Sequence, residues 1–198
     1  FKMQTTSSIN FNSFPNRLEC GFEWLKGSDS LFEVRSLKKL FINSYDKKSS
    51  DACSKLFNLE ELSILNSPVE NIHGLSSLER LKVLRLANLK NLTSLNGIQK
   101  LHKLEELEIQ RCKGISTISE VLQLNKLKRL LLIDLGDIAS IKGIENLTEL
   151  KDFLFYESTN IIDGDLFPIT KLKNLIKISY RNRKHYTHKR EDFGKKYG

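Results

Sequence analysis

The chain has 198 residues, of which 39% are hydrophobic and 28% charged. That length buries a sizeable core, and no apolar run approaches the ~20 residues of a membrane-spanning helix, so neither a disordered chain nor a helical membrane protein fits. The net charge of +8 is uneven: residues 181–198 hold seven basic and two acidic residues, whereas the rest hold 25 and 22. The body is nearly neutral, so the basic balance alone is weak ground for nucleic-acid binding.

Residues 1–36 read as an N-terminal cap followed by a degenerate first repeat, with Ile9, Phe11, Phe14, Trp24, Leu25, Leu31 and Phe32 as its apolar content. Residues 37–183 carry a regular repeat. Its core grammar is leucine, two residues, apolar, one residue, apolar, as in Leu37-x-x-Leu40-x-Ile42 and Leu59-x-x-Leu62-x-Ile64. It recurs at Leu81-x-x-Leu84-x-Leu86, Leu104-x-x-Leu107-x-Ile109, Leu127-x-x-Leu130-x-Leu132, Leu150-x-x-Phe153-x-Phe155 and Leu175-x-x-Ile178-x-Tyr180. Pro15-x-x-Leu18-x-Cys20 reads as a weak first copy. The middle residues fall at 18, 40, 62, 84, 107, 130, 153 and 178, intervals of 22 to 25 that point to one structural unit repeated along the chain.

Each copy has two halves. The first alternates with period two and predicts a strand. The second spaces apolar residues by three, as in Leu92, Leu95, Ile98 and Leu101, or Ile138, Ile141, Ile144 and Leu147. That period is tighter than an α-helix and predicts a 3₁₀ turn or an extended segment. Gly74, Gly97 and Gly143 occupy matching places, where a turn conformation that other residues resist is expected.

These motifs resemble the short-repeat type of leucine-rich repeat protein, as in internalins and SDS22-like proteins. The resemblance covers nearly the whole chain. It implies an α/β fold: a right-handed horseshoe solenoid with a parallel concave sheet of seven or eight short strands and 3₁₀ or extended convex segments. It also implies a binding scaffold without a named ligand. One departure stands out. The asparagine that the family places three residues after the last strand leucine is replaced here by Tyr45, Ser67, Leu89, Cys112, Leu135, Ser158 and Arg183. Irregular turns are therefore expected.

Chemistry is sparse. His73 and His102 lack a nucleophile or carboxylate at a useful spacing. His185-x-x-His188 has a metal-compatible spacing, but Lys184, Lys189 and Arg190 disfavour a cation there. Asp163-Gly164-Asp165 reads as a turn. Cys20, Cys53 and Cys112 are odd in number, widely spaced and without a CxxC motif, which suits core thiols in a reducing compartment. No nucleotide-binding, zinc-protease or serine-hydrolase motif occurs. No enzyme activity, cofactor or metal is expected, and the absence of a secretory signal suggests a cytoplasmic location.

The residues between the strand leucines face the concave side. There Leu131, Ile133, Leu154 and Tyr156 fall on adjacent strands as one apolar patch. Arg85, Glu106, Glu108, Arg111, Arg129, Asp134, Asp152, Glu157 and Arg181 ring it. An apolar centre with a charged rim suits a protein interface. The expected partner is another protein, in the sharpest version a toxin or enzyme that this chain neutralises as an inhibitor or immunity protein. The alternatives are nucleic-acid or ribonucleoprotein contact through the basic segment 184–198, which reads as a cap or tail, and a regulatory or adhesin module.

Overall fold

The computed structural model describes residues 28–196 and the strand segments 4–5 and 19–23, with side chains described over 31–194. In chain order the strands are β1 (Gln4–Thr5), β2 (Glu19–Glu23), β3 (Lys39–Asn43), β4 (Glu61–Leu65), β5 (Val83–Ala87) and β6 (Glu106–Gln110). They continue with β7 (Arg129–Ile133), β8 (Asp137–Ile138), β9 (Asp152–Tyr156), β10 (Asn160–Ile161) and β11 (Lys177–Tyr180). The main sheet has nine strands in the order β1-β2-β3-β4-β5-β6-β7-β9-β11, all paired parallel. This exceeds the expected seven or eight because Gln4–Thr5 adds an edge strand beside β2. The other residues of the expected N-terminal cap up to Phe14, with Trp24 and Leu25, lie outside the described residues.

Register follows the repeat. Leu40, Leu62, Leu84, Leu107, Leu130, Phe153 and Ile178 are successive partners across the sheet. A slip of one residue would turn each strand's leucines to solvent, so the alternating pattern locks the stack. The first copy differs from the sequence reading. Cys20 pairs with Leu40 and Phe22 with Ile42, whereas the spacing had matched Leu18 and Cys20 to those positions. Period-two alternation cannot detect a slip of two, because the same face stays inward, and the first interval is therefore 20 residues.

The convex halves are 3₁₀ turns at Asp51–Lys55, His73–Ser77, Ile98–Lys100, Val121–Gln123 and Ile144–Asn146. Each buries an apolar side chain, namely Cys53, Leu75, Ile98, Val121 and Ile144. The N–H of the next leucine then closes each turn onto the carbonyl three residues back, as Leu101 does to Ile98 at 2.9 Å. A three-residue rotation returns an apolar residue inward once per turn, which is why the spacing is three. The single α-helix among the described residues is α1 (Phe167–Thr170), in the stretched last repeat. Asp165 Oδ1 accepts the Phe167 N–H at 3.0 Å, so the Asp163-Gly164-Asp165 segment is the turn that starts it.

Gly97 and Gly143 adopt φ of 104° and 101°, where a side chain would strain the backbone. Gly74 has no positive φ. Its requirement is space, since a Cβ there would collide with the Asp51 backbone.

The turns after the strands are more regular than the missing asparagines suggested. Ser44, Asn66, Asn88, Arg111, Asp134 and Glu157 all take φ between 50° and 60°, one per repeat. From Ser44 to Asp134, the N–H of each extends the ladder by bonding the last strand carbonyl of the next repeat, as Asn88 does to Gln110 at 2.9 Å. The following side chain turns inward. Tyr45, Ser67, Leu89, Cys112 and Leu135 are buried there, and Thr159 takes the place of exposed Ser158 in the lengthened repeat. Different groups then satisfy the buried turn backbone. Thr159 Oγ1 donates to the Leu132 carbonyl at 3.0 Å and accepts the Leu135 N–H at 3.1 Å. Ser67 Oγ donates to the Leu65 carbonyl at 2.7 Å, and Cys112 Sγ lies 3.4 Å from the Gln110 carbonyl.

Aromatic side chains line both ends of the described core. Tyr45 meets Phe32 edge-on at one end. At the other, Phe155 stacks on Tyr180 at 4.8 Å between centroids, and Tyr186 packs edge-on to both rings.

Candidate functional site

The basic C-terminal segment is built into the end of the solenoid. Tyr186 is buried, and its hydroxyl accepts the Ile161 N–H at 3.0 Å. The His185 ring nitrogen contacts the Ile161 carbonyl at 3.0 Å, and the Tyr180 hydroxyl donates to the His188 carbonyl at 3.0 Å. Arg183 donates to the Thr159 carbonyl at 3.2 Å. His185 and His188 therefore serve the packing of this segment. No group of three or more His, Cys, Asp or Glu converges on a possible metal position among the described residues. No helix among them is long and apolar enough to cross a membrane.

Cys53 and Cys112 are buried free thiols. Loss of solvation pushes Cys53 up to about 12, with the Asp51 charge adding to it, and pushes Cys112 up to about 11. Neither is poised as a nucleophile, because the reactive thiolate is the form that burial disfavours. The side chain of Cys20 lies outside the described residues.

On the concave face, Leu131 is in register with Leu154, and Ile133 with Tyr156. The four residues are brought together on β7 and β9 as the sequence implied. Their exposure is not equal. Leu131 and Ile133 retain only 7% and 8% of their surface, whereas Leu154 and Tyr156 stay half-buried. Leu131 is flanked in register by Glu108 and Leu154, about 4.8 Å away on either side, and side chains of that length cover it. The accessible part of the patch is therefore Leu154 and Tyr156. The C-terminal segment does not bury them.

The rim has distinct sectors. Towards β5 and β6, Arg85 reaches Glu106 and Glu108, each at 3.9 Å. Arg129 stands between Glu106 and Asp152 in register, and Asp152 beside Lys177. These are solvent-exposed pairs, which orient charge more than they stabilise the fold.

At the C-terminal ends of the strands, an open depression of about 670 Å³ lies beside Tyr156 and Ile133. Arg111, Asp134, Glu157 and Arg181 edge it. Asp134 is the most engaged of these. It accepts from Ser158 Oγ at 2.6 Å and is paired with Lys113 at 3.5 Å and Arg111 at 3.9 Å. The Ser158 hydrogen bond, helped by Lys113 and Arg111, holds its carboxyl below the usual range. Arg183 also lines the depression, and its Nε is buried without a partner. Sequence reading had not assigned Ser158 or Arg183 to this face. The signal was their occupation of the place where the repeat's asparagine belongs.

A parallel sheet advancing 20 to 25 residues per strand from β2 onward, opposed by 3₁₀ turns and filled with leucine, is a leucine-rich-repeat solenoid. Its fold is similar to internalin C2 of Listeria monocytogenes, at 21% identity and a TM-score of 0.63, with 78% of this chain and 68% of that one covered. It is also similar to the internalin inlF of that bacterium, at 18% identity and a TM-score of 0.58 over 92% of this chain. A third likeness is to the functional domain of its InlJ, which includes a cysteine ladder, at 18% identity and a TM-score of 0.59 over 82% of this chain. The chain spans 61% of the inlF structure and 34% of the InlJ structure. No protein-family model and no curated protein matches the sequence.

Proposed function

We propose that this chain is a non-enzymatic protein-binding scaffold that engages its partner on the concave sheet. One observation carries the reading: Leu154 and Tyr156 remain accessible at the centre of a face rimmed by Arg85, Glu108, Arg111, Arg129, Asp134, Asp152, Glu157 and Arg181. Apolar side chains at the middle supply contact area, and a ring of charge supplies orientation and exclusion of wrong partners. The internalin-like fold supports a scaffold role by analogy. The sharpest form of the reading is an inhibitor or immunity protein that occludes a toxin or enzyme. A continuous nine-stranded sheet suits that task, since a preorganised surface loses little entropy on binding.

The test is an affinity capture with two baits, the wild-type chain and a folded Leu154→Asp/Tyr156→Ala chain. A protein retained by the first and lost from the second supports the reading. Equal retention by both refutes it. For the inhibitor form, the retained protein must also lose its activity when the wild-type chain is added in equimolar amount.

A further inference from the structure

Four rim residues at the strand ends form an ordered row of charge. Arg111 follows β6, Asp134 follows β7, Glu157 follows β9 and Arg181 follows β11. The row therefore reads cation, anion, anion, cation across four adjacent strands, and it borders the depression that Tyr156 and Ile133 line.

The four charges are not equally available. Asp134 is held by Ser158, Lys113 and Arg111. Arg181 is exposed and has no hydrogen-bond or ion-pair partner among the described residues. Arg111 is exposed, and its contact with Asp134 is long at 3.9 Å. Arg183 adds a buried Nε without a partner near the Arg181 end. Donor capacity is thus left over at both ends of the row, whereas at its middle Asp134 is committed and Glu157 is exposed without a hydrogen-bond or ion-pair partner among the described residues.

We propose, resting on the concave-face reading above, that this depression receives an extended segment of a partner protein with two carboxylates flanking an apolar side chain. Three strand spacings separate the positions of Arg111 and Arg181, roughly 14 Å. An extended chain advances ~3.3 Å per residue, so about four residues bridge that span. Side chains at i, i+2 and i+4 share one face of an extended segment. An Asp or Glu at i and i+4 then meets the two guanidiniums, whose planar forks match carboxylates. The residue at i+2 falls midway along the row, between β7 and β9, where Ile133 and Tyr156 are in register. Asp134 and Glu157, at the middle of the row, disfavour a third acid at that place.

The probe is a displayed library of random linear nonapeptides selected on the immobilised full chain. The same selection is run on Arg111→Gln/Arg181→Gln, Arg111→Glu/Arg181→Glu and Tyr156→Ala chains, each checked for an unchanged far-UV circular dichroism spectrum. The expected result is a consensus with acids at i and i+4 around an apolar i+2. Its enrichment should fall at least tenfold on both arginine double variants and on Tyr156→Ala. A consensus that needs Tyr156 but survives both arginine variants overturns the acidic-segment inference and leaves the concave-face reading standing. Peptides that bind regardless of Tyr156 count against both. No enriched peptide, with a 20-nucleotide single-stranded DNA bound through Arg111 and Arg181, overturns the inference in favour of a phosphate ligand.

Discussion

Thr159 Oγ1 accepts the Leu135 N–H at 3.1 Å from one repeat downstream, inside the solenoid where no water competes. The same hydroxyl donates to the Leu132 carbonyl. A single threonine therefore ties two buried backbone groups of the preceding turn, a task the family gives to asparagine. Thr159→Val keeps the shape and removes the hydroxyl, leaving a buried donor and a buried acceptor unpaired. A loss of about 1–3 kcal/mol is expected. Thr159→Ser, which keeps the hydroxyl, should lose less. Urea denaturation midpoints at unchanged slope measure both.

The buried thiols carry a chemical and a pH signature. Cys53 and Cys112 should resist a thiol reagent at pH 8 without denaturant, leaving at most one of the three cysteines, Cys20, to label. Rapid modification of Cys53 or Cys112 would show that the core is open. Their pKa values, raised from 9.0 to about 12 and about 11, also set a sign. Above pH 9 the unfolded chain releases thiol protons that the folded chain retains, so stability falls as pH rises. The decline begins near pH 9 and runs through the folded values, at about 1.4 kcal/mol per pH unit for each thiol in that window. Tyr180 and Tyr186, both raised chiefly by burial, act in the same direction. Melting temperatures measured from pH 8 to 11 should drop, and Cys112→Ala should flatten part of that drop.

An ion-pair row outside the strands should matter less. Glu60 bonds Lys82 at 2.9 Å and pairs with Lys38 at 3.5 Å, both pairs partly open to solvent. Glu60→Gln should lower the melting temperature by less than Thr159→Val does, and 1 M salt should erase the difference from wild type. A salt-independent loss would mean that Glu60 acts through packing.

The contrast between Leu131 and Leu154 separates folding from binding. Leu131→Asp places a charge at a position only 7% exposed and should destabilise by more than about 1 kcal/mol. Leu154→Asp lies on the same face at a partly open position, so it should leave the fold intact and remove the partner. Thermal melts of the two variants check the first half, and a capture experiment checks the second.

The strands were legible because alternation is enforced by a core on one side only. Leu40, Leu62, Leu84 and their successors had to face inward, and their spacing fixed the register. The convex turns were legible for the same reason, since a period of three returns Leu95 and Ile98 inward. The first repeat was misaligned, because period two is blind to the two-residue shift between Leu18 and Cys20. The turns looked irregular because their regularity lies in backbone conformation at Ser44, Asn66, Asn88, Arg111, Asp134 and Glu157, which share no side-chain type. The four patch residues lie in register on β7 and β9, yet the cover over Leu131 and Ile133 comes from neighbours on other strands. Likewise, nothing local marked Tyr186 as a core residue, because its partners Phe155, Ile161 and Tyr180 belong to the repeats before it.

Hydroxyl-radical footprinting of the chain with a captured partner tests the central claim most directly, since it reads side-chain exposure on both faces at once. Phe57, Ile162, Phe167 and Ile176 are 47%, 56%, 52% and 64% exposed and lie outside the concave strand positions, so they report on the rest of the surface. Protection of Leu154 and Tyr156, with those four unchanged, is the result expected of a concave-face scaffold. Protection confined to Phe57, Ile162, Phe167 or Ile176, with Tyr156 as reactive as in the free chain, would contradict it.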